Sequence, residues 1–165
     1  ERTRVVGDLA HDVVDVHRAY MWEEMPRLVE LVAKVHRVHG DRHPELARVH
    51  DLFDAAVAAL EPHMTTEERS VFPAISRLER TGTPGPAGRL AEQIEHLVEE
   101  HTVVGELFAE LARATGGYAP PPDACASYRA MLEGLQTMQR DLHEHIHKEN
   151  NVLFPAALAL EAAAR

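Results

Sequence analysis

Apolar residues recur along this chain every three to four positions and nowhere alternate at period two, so the pattern predicts helices throughout. The first predicted helix, about residues 8–38, carries a seam through Val14, Met21, Leu28, Leu31 and Val35, with His17 in the same register. It stops at HGDRHP, where Gly40 and Pro44 break the helix. The second, about 45–80, lines up Phe53, Ala56, Leu60, His63, Glu67, Val71 and Ile75. TGTPGPAG, residues 81–88, reads as a loop. The third, about 89–115, runs through Leu90, Ile94, Leu97, His101, Val104, Phe108 and Leu111. After GGYAPPPDA the fourth, about 124–161, runs through Met131, Leu135, Met138, Leu142, His145, Glu149 and Val152. Long helices with short connections predict an all-α, antiparallel up-down-up-down four-helix bundle, one domain over residues 1–165.

Every seam is interrupted by histidine or glutamate. HMTTEERSVFP, residues 63–73, returns as HIHKENNVLFP, residues 145–155, both reading His, three residues, Glu, four residues, Phe-Pro. Spacing of four turns His63 and Glu67 to one helix face, and likewise His145 and Glu149. Burying such groups without partners costs several kcal/mol each. A single His/Glu pair occurs by chance on many helices, but two pairs in a duplicated motif, both on apolar seams, do not read as chance. At a rise of about 1.5 Å per residue, a turn near residue 41 sets residue 63 level with about residue 19, close to His17. A turn near residue 119 lets His101 lie level with about residue 145. Six donors, His17, His63, Glu67, His101, His145 and Glu149, are therefore expected at one level, each motif copy supplying half of a two-metal site.

Composition sharpens this. Twelve histidines are many for 165 residues, and histidine is the commonest metal ligand. The same ruler leaves out His39, about 33 Å from His17 on a continuous helix, and with it His36, His43 and His50 at that end. His11 and His96 fall off the seams, and His143 and His147 turn to other faces, with exposure expected. A net charge of -10 argues against a nucleic-acid binder. No apolar run reaches the ~20 residues that span a bilayer, and no signal-peptide pattern opens the chain. One cysteine, Cys125, excludes an intramolecular disulfide and fits a cytoplasmic location. The chain opens on Glu1, as expected of an N-terminus that was trimmed or lies beyond these residues.

Four histidines and two carboxylates without a thiolate suit two first-row ions, iron first and manganese second, rather than structural zinc. If both glutamates bridge, each ion has about four protein donors against six for octahedral geometry. The open positions are expected to take a bridging oxygen species, water or a small diatomic ligand. Met21, Met25, Met64, Val104 and Met138 are candidates to wall an apolar pocket there, and plain core packing accounts for them equally. Gly105, one turn after His101, is expected where a larger side chain would crowd the site, with helix flexibility as the duller alternative.

KVHRVHGDRHPEL, EPHMTTEERSVFPAI, EEHTVVGEL, PPPDAC and above all HIHKENNVLFPAAL resemble the hemerythrin-like HHE proteins, and among them the iron–sulfur cluster repair (repair of iron centres) group. The resemblance covers nearly the whole chain. It implies a non-haem di-iron centre, oxo-bridged and held by two bridging glutamates, with His63, Glu67, His101, His145 and Glu149 as ligands. It implies action in nitric oxide or oxidative stress on damaged iron–sulfur proteins. Alternatives are an O₂ or NO sensor or carrier without turnover, and a peroxide- or NO-reducing di-iron enzyme. Oxygen-carrying hemerythrins have a second histidine one turn from the third-helix ligand; Leu97 and Gly105 stand there, which disfavours simple oxygen storage. The family commonly opens its bundle with His-His, usually ligating through the second. Here His17 is followed by Arg18, so either His17 ligates after a small helix rotation or the first helix gives no ligand; the seam favours His17. Arg18 is expected to turn outward or to pair with an acid such as Glu67 or Glu149. The family also often has a small N-terminal domain with adjacent cysteines, and these residues contain no such segment.

Overall fold

Four helical rods build the computed structural model, which describes residues 16–83 and 90–164. Rod one is α1 (Arg18–His39). Rod two is α2 (Glu45–Thr66), continued by a π turn, π1 (Glu67–Val71), into α3 (Phe72–Thr81). Rod three is α4 (Leu90–Ala114). Rod four is α5 (Ala126–Lys148), a second π turn, π2 (Glu149–Leu153), and α6 (Phe154–Ala163). Neighbouring rods, one with four and two with three, run antiparallel. His17 meets Asp141 while Lys34 meets Ser127, and His63 meets His101 while Arg48 meets Glu110. The four-helix bundle read from the seams is the observed fold, with no strand among the described residues. No described helix is long and apolar enough to cross a membrane. Val14 and His11, and residues 84–88 of the expected loop, lie outside the described residues.

The two π turns follow from the repeated Phe-Pro. Pro73 and Pro155 have no N–H to donate, and their rings crowd the carbonyl four residues back. The ladder slips by one residue: Phe72 N–H bonds the carbonyl of Glu67, and Phe154 N–H that of Glu149. Each π turn therefore begins at a glutamate of the duplicated motif, and such turns gather at functional sites. The slip also corrects the seam. Leu153, not Val152, follows Glu149 into the core; Leu153 is fully buried and Val152 is 41% exposed.

The other described seam positions are buried except Leu31, which is half-buried while Val32 takes its place in the core, and they form two apolar clusters rather than one. The larger takes Met21, Met25, Leu28, Phe53, Phe108 and Leu135 from all four rods. The smaller takes Val71, Ile75, Ile94, Leu97, Leu153 and Phe154 from rods two, three and four. Rods one and four approach closely at Gly134, where a Cβ would lie 2.6 Å from Leu28 Cδ2. The polar positions of the seams fall between the two clusters.

Candidate metal centre

His17, His63, Glu67, His101, His145 and Glu149 meet in this polar layer, and none is more than 6% exposed. Donor atoms of His63, Glu67, His101 and Glu149 all lie within 4.8 Å of one another. The histidines fall into two pairs. His63 and His101 have ring centroids 4.7 Å apart and Nε2 atoms 3.1 Å apart, and His17 and His145 have centroids 5.2 Å apart. The carboxylates reach across both pairs. Glu67 lies against His63 Nε2 through Oε1 and 3.8 Å from His145 Nε2 through Oε2. Glu149 lies against His145 Nε2 through Oε1 and 3.7 Å from His101 Nε2 through Oε2.

Neighbouring side chains fix which nitrogen of each ring is free. His63 Nδ1 is 3.2 Å from Glu100 Oε2, His101 Nδ1 is 2.8 Å from Asn150 Oδ1, and His17 Nδ1 is 2.9 Å from Asp141 Oδ1. A carboxylate or amide oxygen can only accept, so each Nδ1 carries the proton and each neutral ring keeps its lone pair on Nε2. The Nε2 atoms of His63 and His101 face each other, and His63 Nε2 also lies against Glu67, so in the metal-free layer a proton on His63 serves these contacts where a bound cation would otherwise sit. Glu67 Oε1 and both oxygens of Glu149 are buried without a properly directed hydrogen bond, although His63 and His145 lie against them. Buried carboxylate oxygens and imidazole nitrogens converging on one point form a donor set that could hold a metal ion.

The protonation pattern of the metal-free layer reflects the same crowding. Burial raises Glu149, the charge of Glu67 adds to it, and its carboxyl is pushed up to about 8 despite His145 alongside. Burial also opposes ionisation of Glu67, but the imidazoles of His145 and His63 alongside outweigh it and hold the carboxyl below the usual range. Burial would lower His145, yet Glu149 and Glu67 beside it raise it to about 10. His101 is pushed down to about 4 by burial and by His63, against the pull of Asn150. Two buried carboxylates cannot both ionise here without added positive charge, and Glu149 keeps the proton.

The layer brings together all six residues placed there from sequence and, among the described residues, none of those set aside. His39 lies at the opposite end, 3.1 Å from Cys125 Sγ and edge-on to Tyr128. His43 bonds Asp123 there at 2.8 Å, and His36 packs against His50. His96, His143 and His147 are exposed. Arg18 turns outward and pairs at 2.7 Å with Glu68, which also accepts from Trp22 Nε1; Glu67 and Glu149 are not its partners. Gly105 does not keep the site open by its size, because a Cβ there meets nothing within 4 Å. Met21, Met64 and Val104 line a narrow apolar pocket against His63, His101 and His145, with Leu60, Leu142 and Ile146. Met25 and Met138 pack in the larger core instead. Sequence reading missed Glu100, Asp141, Asn150 and Lys148. Glu100 and Asn150 adjoin the ligand positions of the seams, about 100° round the helix, which is where a residue touching a neighbouring rod sits.

Comparisons with known proteins agree with this chemistry. Residues 9–157 match the family model described as the hemerythrin HHE cation binding domain. The chain is 36% identical over 141 residues to the iron-sulfur cluster repair protein ScdA of Staphylococcus haemolyticus, covering 81% of this chain and 59% of that protein. It is 38% identical over 152 residues to the iron-sulfur cluster repair protein YtfE of Salmonella paratyphi B and of Salmonella newport, covering 92% of this chain and 65% of each of those proteins. The chain thus spans less than two thirds of the length of these relatives.

Proposed function

The chain belongs to the hemerythrin HHE cation binding domain family, and on that premise we propose that it holds two iron ions and serves the repair of iron–sulfur clusters damaged by nitric oxide or oxidants. One observation carries the two-ion reading: the opposite oxygens of Glu67 and of Glu149 face different histidine pairs. On this reading His63 and His101 hold one ion, His17 and His145 the other, and the two glutamates serve both. The mixed nitrogen and oxygen donor set suits iron, then manganese, better than zinc, whose structural sites favour thiolate. When bound, the ions supply redox-active centres whose remaining positions accept a small ligand.

The protein's own groups prepare that chemistry. Glu100, Asn150 and Asp141 hold three imidazoles by Nδ1, so that each ring turns its Nε2 into the layer. Binding must displace the protons held by Glu149 and His145 at neutral pH, which couples uptake of the ions to proton release. The apolar walls from Met21, Leu60, Met64 and Leu142 exclude bulk water and admit only a small molecule.

Support for the repair role comes from the likeness to the iron-sulfur cluster repair proteins ScdA and YtfE. Damaged iron–sulfur proteins are then the partners and the cytoplasm the site of action, with residues 1–165 folding as one unit. The narrow pocket favours a second reading, a carrier or sensor of O₂ or NO without turnover. Incubating an iron–sulfur enzyme inactivated by nitric oxide with the iron-loaded protein tests the first. Recovery of activity above that seen with the metal-free protein or with Glu149→Ala is expected. Recovery equal in all three rules the repair role out.

A further inference from the structure

The two histidine pairs are supported unequally. His63 and His101 are both held at Nδ1, by Glu100 and Asn150. In the other pair only His17 is held, by Asp141. His145 Nδ1 is buried with no hydrogen-bond partner, so its ring lacks the contact that orients a ligating imidazole. A second asymmetry lies on the same side. Lys148 Nζ stands 3.4 Å from His17 Nε2, the nitrogen left free by the bond to Asp141. An ammonium has three donors and no acceptor, so the lone pair that would ligate an ion is engaged by a cation tethered to the protein. Among the described residues no ammonium lies against the Nε2 atoms of His63 or His101, which face one another.

We infer that the His17/His145 position is the exchangeable one and that Lys148 sets its affinity, competing with the metal for His17 Nε2. This rests on the two-ion reading and adds a division of labour to it: the His63/His101 ion is retained and the His17/His145 ion is the one surrendered. Filling that position requires the ammonium to swing away, and Glu144, whose Oε1 is 3.3 Å from Nζ, lies in reach to receive it. When the ion leaves, Lys148 returns and occupies the imidazole. A protein that donates iron to a damaged cluster needs one ion of this kind.

The test uses metal-free protein titrated with Co(II), followed by visible absorption, and then release into excess chelator. Wild type is expected to bind two ions and release them in two phases. Lys148→Met keeps the aliphatic stem and removes the ammonium; it should slow the fast phase about tenfold and leave the slow phase unchanged, an effect of the size seen for neighbours that tune metal ligands. Lys148→Arg, which keeps the charge, should not slow it. His17→Ala should abolish the fast phase alone, and His101→Ala the slow phase. Two ions released in one phase, or a Lys148→Met variant with both phases unchanged or equally slowed, would overturn the inference while leaving the two-ion reading standing. A single ion bound by wild type would overturn both. Far-ultraviolet circular dichroism confirms that each variant is folded.

Discussion

At the scale of single residues, Glu149 and His145 tie the layer to pH. In the metal-free fold Glu149 has a value of about 8 against an ordinary 4.5, and His145 about 10 against 6.5. Between each pair of values the folded protein holds a proton that the unfolded chain has released, so stability falls as pH rises across that interval. His101, at about 4, acts in the opposite direction only below 6.5, and Glu67, held low, completes its effect by about 4.5. Above pH 6.5 the signs agree. The thermal midpoint of metal-free protein should drop between pH 6.5 and 9.5, and Glu149→Gln should flatten part of that slope. A midpoint that rises over this range contradicts the assignment. Arg18 gives a second test at this scale. Because it faces outward to Glu68, Arg18→Ala should leave the metal content unchanged, whereas His17→Ala should loosen one ion. If His17→Ala is silent by elemental analysis and Arg18→His tightens binding, His17 is not a ligand.

At the scale of elements, the π turns set the register of rods two and four. Val152 and Leu153 report it directly, since a uniform 3.6-residue period would place Val152 on the seam. Val152→Lys should change stability by less than about 0.5 kcal/mol, as surface substitutions do. Leu153→Ala should cost about 2–5 kcal/mol, the range for a leucine truncated in a packed core. Urea unfolding of both variants checks this, and the reverse order would put the slip elsewhere. The same pair shows where sequence reading reached its limit. Rod three was legible seam by seam because Leu97 and Phe108 keep a regular period, and rod two stayed legible through its own slip at π1 because polar Ser70 leaves Val71 for the seam, whereas Val152 and Leu153 are both apolar. In rod four the period shifts at π2, and the shift comes from a backbone donor that Pro155 lacks, which a count of apolar residues does not register. Asp141 and Glu100 were illegible for a related reason: their part depends on which neighbouring rod they touch, and that is a tertiary fact.

At the scale of the whole molecule, the duplicated motif places a layer of acceptors between two apolar clusters, so the bundle is divided by its own functional site. The metal-free protein carries that layer as an uncompensated cost, which bound ions offset by acting on the folded state alone. Iron loading should therefore raise the thermal midpoint, and Glu67→Ala and Glu149→Ala should each lose more metal than a single histidine variant, because each carboxylate faces both pairs. His39→Ala, at the far end against Cys125, should leave metal content unchanged. The central claim is that four rods converge on two ions, and elemental analysis of protein expressed with ample iron tests it most directly. The account predicts two iron atoms per chain; one tightly bound zinc per chain, with no second ion, would contradict it.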